Sequence, residues 1–255
     1  MTYHDYLIKI KRNRKIILLF QLLITCSIII IWQLLTDLNI IDSFIISSPK
    51  NILNTIITLY KENNLFIHIL TTINEVIISF SITTILSIVL ALILYNYNTL
   101  YKIFDPFITL INSLPKVALG PLFIIWIGSN IKSVITISVL ISLIVSLQTI
   151  LNGFQNTDKL KIKLLKTFNA SKLDILINVV LKENKSVILN TLKINISMCL
   201  IGVITGEFLT SKSGLGYLIL YGTQVFDLNL VMSSLFILLI ISFILYKIVI
   251  LLIKK

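Results

Sequence analysis

Apolar residues run through this chain in long blocks separated by short polar breaks. Six blocks are long enough to cross a membrane: 16–35, 73–95, 104–127, 133–151, 187–209 and 231–252. Each approaches the 18–25 residues that span a hydrocarbon layer as an α-helix. Two polar connections are long enough to carry structure. In the first, within 36–72, Ser48 followed by Pro49 suits a helix cap and first turn. Ile52, Leu53, Ile56, Leu59 and Tyr60 then share one helical face. The second is a basic island, KLKIKLLKTFNASKLDILINVVLKENK, at 159–185. Its first half alternates as a strand would. Leu160, Leu164, Leu165 and Phe168 fit a helix equally, and a lone strand here has nothing to pair with. In the second half Leu173, Leu176, Ile177, Val180 and Leu181 keep helical spacing, with Ser171 and Asp174 as a capping box. Asn169, between the halves, tolerates a left-handed turn. The pattern predicts helix, sharp turn, helix.

Composition changes what surrounds these helices. With a mean hydropathy of +0.99 and 13% charged residues, the 255-residue chain cannot clothe a soluble surface, so lipid is its solvent. An all-α integral membrane protein of six transmembrane helices is expected. KIKRNRK (9–15) resembles the start of a signal peptide, but a long apolar run follows without a small-residue cleavage site, which reads as a retained anchor. The net charge of +11 sorts by side. With the N-terminus inside, the cytoplasmic segments hold five lysines and arginines in 1–15, Lys102, seven in 159–185, and Lys254 with Lys255. The outside holds Lys50, Lys61, Lys132 and Lys212. This bias places both termini in the cytoplasm and assigns the charge to loops rather than to nucleic acid. The expected organisation is a basic N-terminus (1–15), a first anchor (16–35), an external segment with an amphipathic helix (36–72) and a five-helix core (73–255) that includes a cytoplasmic loop, 152–186.

An island both apolar and basic can lie on anionic lipid or dock into a partner's groove. Its place between the fourth and fifth spans resembles the cytoplasmic loop of ABC-transporter permeases. There an approximate E-A-A, glycine, Leu-Pro pattern forms the coupling helix that sits in the ATP-binding subunit. Here K-L-L-K-T-F-N-A-S (163–171) and V-V-L-K (179–182) occupy that stretch. Lys163 stands for the acidic residue, Asn169 for the glycine and Lys182 for the proline, so the usual acidic pairing with the partner is lost. S-L-P-K-V-A-L-G-P-L-F-I-I-W-I-G (113–128) and G-E-F-L-T-S-K-S-G-L-G-Y-L-I (206–219) resemble permeases for nitrate, sulfonates, taurine and thiamine precursors. The resemblance implies a type I importer permease in a bacterial plasma membrane. It implies a second copy forming the pathway as a homodimer, ABC ATPase subunits holding ATP and Mg, and an extracytoplasmic substrate-binding protein. It also assigns coupling to Phe168, Asn169, Ala170, Ser171 and Leu173. The implied substrate is a small anionic or heterocyclic nutrient: an aliphatic sulfonate, taurine, nitrate or a thiamine pyrimidine precursor.

Pathway candidates follow from cost. Pro115 and Pro121 fall within one apolar span and free backbone carbonyls, as a packing kink or as a route lining. Lys116 at membrane depth needs a cavity, a counter-ion or a reach to the interface. Glu207 is either a gate, the counter-ion of Lys116 or an exposed interfacial acid. Lys193 and Lys247 suit snorkelling, and Trp32 and Trp126 suit interfacial anchoring. Gly214 and Gly216 suit a tight loop. Cys26 and Cys199 read as small buried hydrophobes; His4 and His68 stand alone, and no metal or cofactor is expected in this chain. The chain lacks G-x-x-x-x-G-K-[ST] and has no nucleophile arrangement, so ATP hydrolysis is expected in a partner and not here. Two other classes remain open. An ion-gradient-driven carrier calls for intramembrane acids with polar partners and an inverted repeat, whereas Glu75 and Asp105 fall at span ends. A non-transporting scaffold needs neither the proline-broken span nor Lys116.

Overall fold

The computed structural model describes residues 3–62, 64–210 and 212–254, and the side chains of 1–15 lie outside the described set. The basic residues counted in 1–15 and Lys255 therefore fall outside it, apart from the backbone of 3–15. Among the described residues all regular structure is helical. The α-helices are α1 (Tyr3–Asp37), α2 (Ser43–Ile46), α3 (Pro49–Lys61), α4 (Asn64–Asn96), α5 (Asn98–Ser113), α6 (Gly120–Ile127) and α7 (Ile131–Gln155). They continue with α8 (Lys159–Thr167), α9 (Lys172–Ile175), α10 (Lys185–Thr210), α11 (Leu215–Gln224) and α12 (Leu228–Lys254). A 3₁₀ turn fills Lys116–Leu119 and a π-helical stretch fills Leu176–Leu181.

Five helices are long and apolar enough to cross a membrane, at Leu19–Asp37, Leu65–Asn96, Ile131–Gln155, Lys185–Thr210 and Leu228–Ile253. The third expected span, 104–127, is not one straight helix. Asn98–Ser113 and Lys116–Ile127 meet at 91°. Pro115 cannot continue α5, and Pro121 sits in the first turn of α6, where its missing N–H has no intrahelical partner to lose. The prolines thus break the element rather than kink it. α4 also starts at Asn64, so His68, Thr72 and Glu75 lie on its early turns instead of at or before its edge.

α7 is the centre, packed between α4 and α10, with α11 and α12 against α10. Its contact side is polar. Ser138, Ser142 and Ser146 recur one turn apart, all buried. Ser138 donates to the Cys199 carbonyl at 2.9 Å, Ser142 pairs with Thr83 on α4 at 2.8 Å, and Ser146 bonds to Asn195. Asn195 in turn donates to Thr84 at 3.2 Å. The opposing surface of α10 supplies Gly202 and Gly206, whose missing side chains let the backbones touch. Small residues and hydroxyls are how helices associate where lipid is as apolar as leucine. Two apolar clusters fill in around this seam, one with Val76, Val203, Leu215 and Ile237, the other with Ala91, Ile150, Phe154 and Val180. α1 lies outside this bundle, its apolar surface almost wholly exposed, with contacts mainly to α3.

Candidate functional site

The island is built from its sequence as expected in its turn, and settles the ambiguity of its first half in favour of helix. Asp158 caps α8 by accepting from the Leu160 N–H at 2.8 Å. The helix ends at Phe168, and Asn169 turns left-handed at φ 54°. The Ala170 N–H reaches back to the Leu165 carbonyl at 3.1 Å and closes the turn. Ser171 then caps α9: its Oγ accepts from the Asp174 N–H at 3.2 Å, while its own N–H donates to Asp174 Oδ2 at 3.0 Å. These bonds from Ser171 side chain and backbone hold the Asp174 carboxyl below the usual carboxylate range. The second half, expected as plain helix, is π-wound over Leu176–Leu181. Winding there buries Leu176, Val179 and Val180, and Asn184 donates to Thr157 at 2.8 Å to anchor the stretch to the end of α7. Lys161 and Glu183 pair at 3.3 Å across the loop.

This scaffold holds Phe168 at 76% exposure and Leu173 at 67%, on either side of the Asn169 turn. Leu160 and Leu164 are exposed beside them. Two large apolar side chains presented by a hydrogen-bonded turn, ringed by lysines, form a knob. The five residues Phe168, Asn169, Ala170, Ser171 and Leu173 are thus brought together.

The pathway candidates are not. Pro115, Lys116 and Pro121 share the broken element, whereas Glu207 lies at the far end of α10. Lys116 donates to the Asn112 carbonyl and Oδ1, both at 3.1 Å, and Asn112 Nδ2 donates to Gln148 on α7 at 2.9 Å. The lysine therefore caps a carbonyl exposed where α5 ends. Among the described residues it makes no ion pair, so Glu207 is not its counter-ion. Glu207 is not exposed either, with 0% of its surface accessible. Its Oε1 accepts from Thr72 Oγ at 2.6 Å and its Oε2 from the Gly216 N–H at 2.5 Å, at the start of α11. The Leu215 N–H donates to Thr72 at 2.9 Å and the Gly214 N–H to His68 Nδ1 at 3.0 Å. Glu207 thus caps α11 from a neighbouring helix, with α4 as the frame. The loop can wrap the carboxyl this closely because Gly214 (φ 114°) and Gly216 lack side chains, which would run into it. Glu75, 2% exposed, lies against Glu207. Its part was missed in the sequence because it was read as a span-edge acid. The signal was there, since an acid within an apolar helix needs a partner wherever it falls.

Of the remaining residues, Lys193 donates to Asn190 at 3.0 Å and Lys247 lies 5.3 Å from the Phe243 ring centroid. Trp126 is exposed and packs edge-on against Phe123. Asp105 is exposed on α5.

Comparison with known proteins decides among the classes. Residues 83–255 match the binding-protein-dependent transport system inner membrane component family. The chain belongs to that family. It is 30% identical over 182 residues to a probable ABC transporter permease protein of Haemophilus influenzae, covering 71% of this chain and 74% of that one. It is 25% identical over 156 residues to a formylaminopyrimidine transport permease of Halalkalibacterium halodurans, covering 61% and 62%. It is 22% identical over 186 residues to a taurine transport permease of Escherichia coli, covering 73% and 68%. The protein is a multi-pass membrane permease subunit of the ABC importer class. That membership assigns the work of this permease to transport, against the scaffold and ion-driven alternatives.

Proposed function

We propose that the permease forms the translocation pathway of an ATP-driven importer as a homodimer and takes its power stroke through the 159–185 loop. The observation that carries this reading is the knob: Phe168 and Leu173 stand exposed on a turn fixed by Asn169 and the Ser171–Asp174 box. A helical knob of this kind fits an apolar groove in an ATPase subunit, with the surrounding lysines meeting acidic residues there. ATP and Mg belong to that partner. In this reading the knob and both termini face the cytoplasm of a bacterial plasma membrane, an orientation the lysine bias supports, and α3 with the α10–α11 corner faces outward, where a binding protein delivers solute.

The substrate is a small anionic or heterocyclic nutrient. The named relatives that move formylaminopyrimidine and taurine support this class, as does Lys116, whose ammonium keeps one N–H beyond its two bonds to Asn112. Pro115, Lys116 and Pro121 line the route in this reading, and Glu207 fixes the outer corner.

The test is co-purification of tagged permease from native membranes in mild detergent, beside a Phe168→Ala, Ser171→Glu double variant. A P-loop ATPase that accompanies the unaltered chain and is absent from a folded variant supports coupling at the knob. Absence of an ATPase from both, or its retention by the variant, would sink it.

A further inference from the structure

A crevice of about 320 Å³ opens where the α4–α5 turn faces the α7–α8 turn, at the root of the basic island. Its polar lining is Tyr95, Asn98, Tyr101, Gln155, Thr157 and Lys159, set over an apolar floor. Tyr95 is held there edge-on against the Phe154 ring, with centroids 5.7 Å apart. Lys159 is the lone charged side chain among the described lining residues, which include no acid. Asp158, its neighbour in the chain, lies outside the lining and accepts from the Leu160 N–H at 2.8 Å. Asp105, one turn beyond Tyr101 on α5, is also outside it.

The donors of this lining are uncommitted. Among the described residues Lys159 makes no ion pair, and the hydroxyls of Tyr95 and Tyr101 make no hydrogen bond. Thr157 is the buried member, at 4% exposure. Its Oγ accepts from the Asn184 amide at 2.8 Å, and its own proton meets no acceptor among the described residues. A buried hydroxyl proton left unmatched is costly, so a ligand oxygen at this point is stabilising. An ammonium can only donate, and hydroxyls and side-chain amides can turn their protons inward. Such a set suits a compact anion with several acceptor oxygens, which draws charge-assisted bonds from lysine.

We propose that this crevice binds a phosphate group, held by Lys159 with Tyr101 and Thr157. The same chemistry has two sources, the headgroup of an anionic phospholipid or a free phosphate, and different additions separate them. A phosphate here bridges the first turn of α8 to the start of α5, so it steadies the island that carries the knob without touching Phe168 or Leu173. The inference stands apart from the coupling reading, because its test needs neither ATPase nor transported solute.

The purified full-length permease in mild detergent is melted with phosphatidylglycerol or phosphatidylcholine, and with sodium phosphate against sodium chloride at equal ionic strength. At ten times the dissociation constant the effective addition should raise the midpoint by about 3–6 °C. A rise with sodium phosphate names free phosphate, and a rise with phosphatidylglycerol alone names the headgroup. Phosphate also stabilises proteins by exclusion from their surface, so the part of the rise that counts is the part lost in Lys159→Gln. Lys159→Gln and Tyr101→Phe should each at least halve the rise. Lys172→Gln, an equal change of charge elsewhere on the island, should keep it. No rise with any addition, or an undiminished rise in Lys159→Gln, overturns the proposal. So does an equal loss in Lys172→Gln, because the whole basic surface rather than the crevice would then be attracting the anion.

Discussion

Replacing Gly202 with alanine tests whether the α7–α10 seam holds this bundle together. An added Cβ would sit 2.5 Å from Ser138 Cα and 3.0 Å from Ser138 Oγ. Ordinary carbon contacts lie at about 3.5–4.0 Å, so the helices must part by roughly 1 Å. Backbone cannot swing aside as a side-chain tip can. Overpacking of this sort costs about 1–3 kcal/mol. The separation also stretches the Ser138 bond to the Cys199 carbonyl from 2.9 Å beyond hydrogen-bonding range and strains Ser146–Asn195. Interhelical bonds of this kind average about 0.6 kcal/mol within membranes. The total is about 2–4 kcal/mol, a fall of about 5–15 °C in the thermal midpoint measured by circular dichroism in detergent. Gly153→Ala is the control. Its Cβ meets Asn184 Oδ1 and Val187 Cγ1, both at 2.9 Å, which are side-chain atoms rather than backbone. A Gly202→Ala protein as stable as wild type, or less affected than Gly153→Ala, would refute the argument that backbone approach sets the seam.

Three other outcomes follow from the geometry. Glu207→Gln keeps an acceptor for one partner but turns a donor toward the other, so the cap on α11 should weaken by about 1–3 kcal/mol, read as faster hydrogen exchange at Leu215 and Gly216. Asn169→Val forces a β-branched residue to φ 54°, at a cost of about 1–2 kcal/mol, and should reduce ATPase co-purification, whereas Asn169→Gly should retain it. Asp174 titrates below its usual range when folded, so its contribution to the turn is complete above the unfolded value of about 3.9 and is lost as pH falls through the folded one. Exchange protection at Asp174 should therefore be constant from neutral pH to mild acid and fall only in stronger acid. Loss between pH 7 and 5 would contradict the assignment.

The parts legible in sequence were those fixed by local chemistry. Apolar length gave five of the crossing helices, and Ser48–Pro49, Asn169 and the Ser171–Asp174 box each behaved as their side chains require. What escaped depends on which residues face each other. Ser138, Ser142 and Ser146 look weakly polar until α10 brings Asn195 and Cys199 beside them. Glu75 and Glu207 are 132 positions apart, and no periodicity joins them. The 91° break is intermediate: the prolines mark where α5 and α6 must part, yet the close approach of Gly120 to Leu209, 89 positions away, has no signal in the sequence.

α10 links what the two ends do. Three residues separate its first turn from the π-wound stretch, whose Leu176 and Val180 pack in one cluster with Leu165 and Ala170 of the loop. Its last turns carry Glu207, which holds the start of α11. Along its 26 residues, Gly202, Gly206 and the Asn195 bonds tie it to α7. At about 1.5 Å per residue the helix is close to 40 Å long, so a small tilt imposed at Lys185 displaces Glu207 by a proportionate distance. The Ser138–Cys199 and Ser146–Asn195 bonds, with Val134 seated against Gly206, oppose sliding along the seam as well as separation of the two backbones. In the proposed coupling, a force on the knob therefore tilts α10 and α7 together, and the Glu207 cap lies at the far end where that tilt arrives.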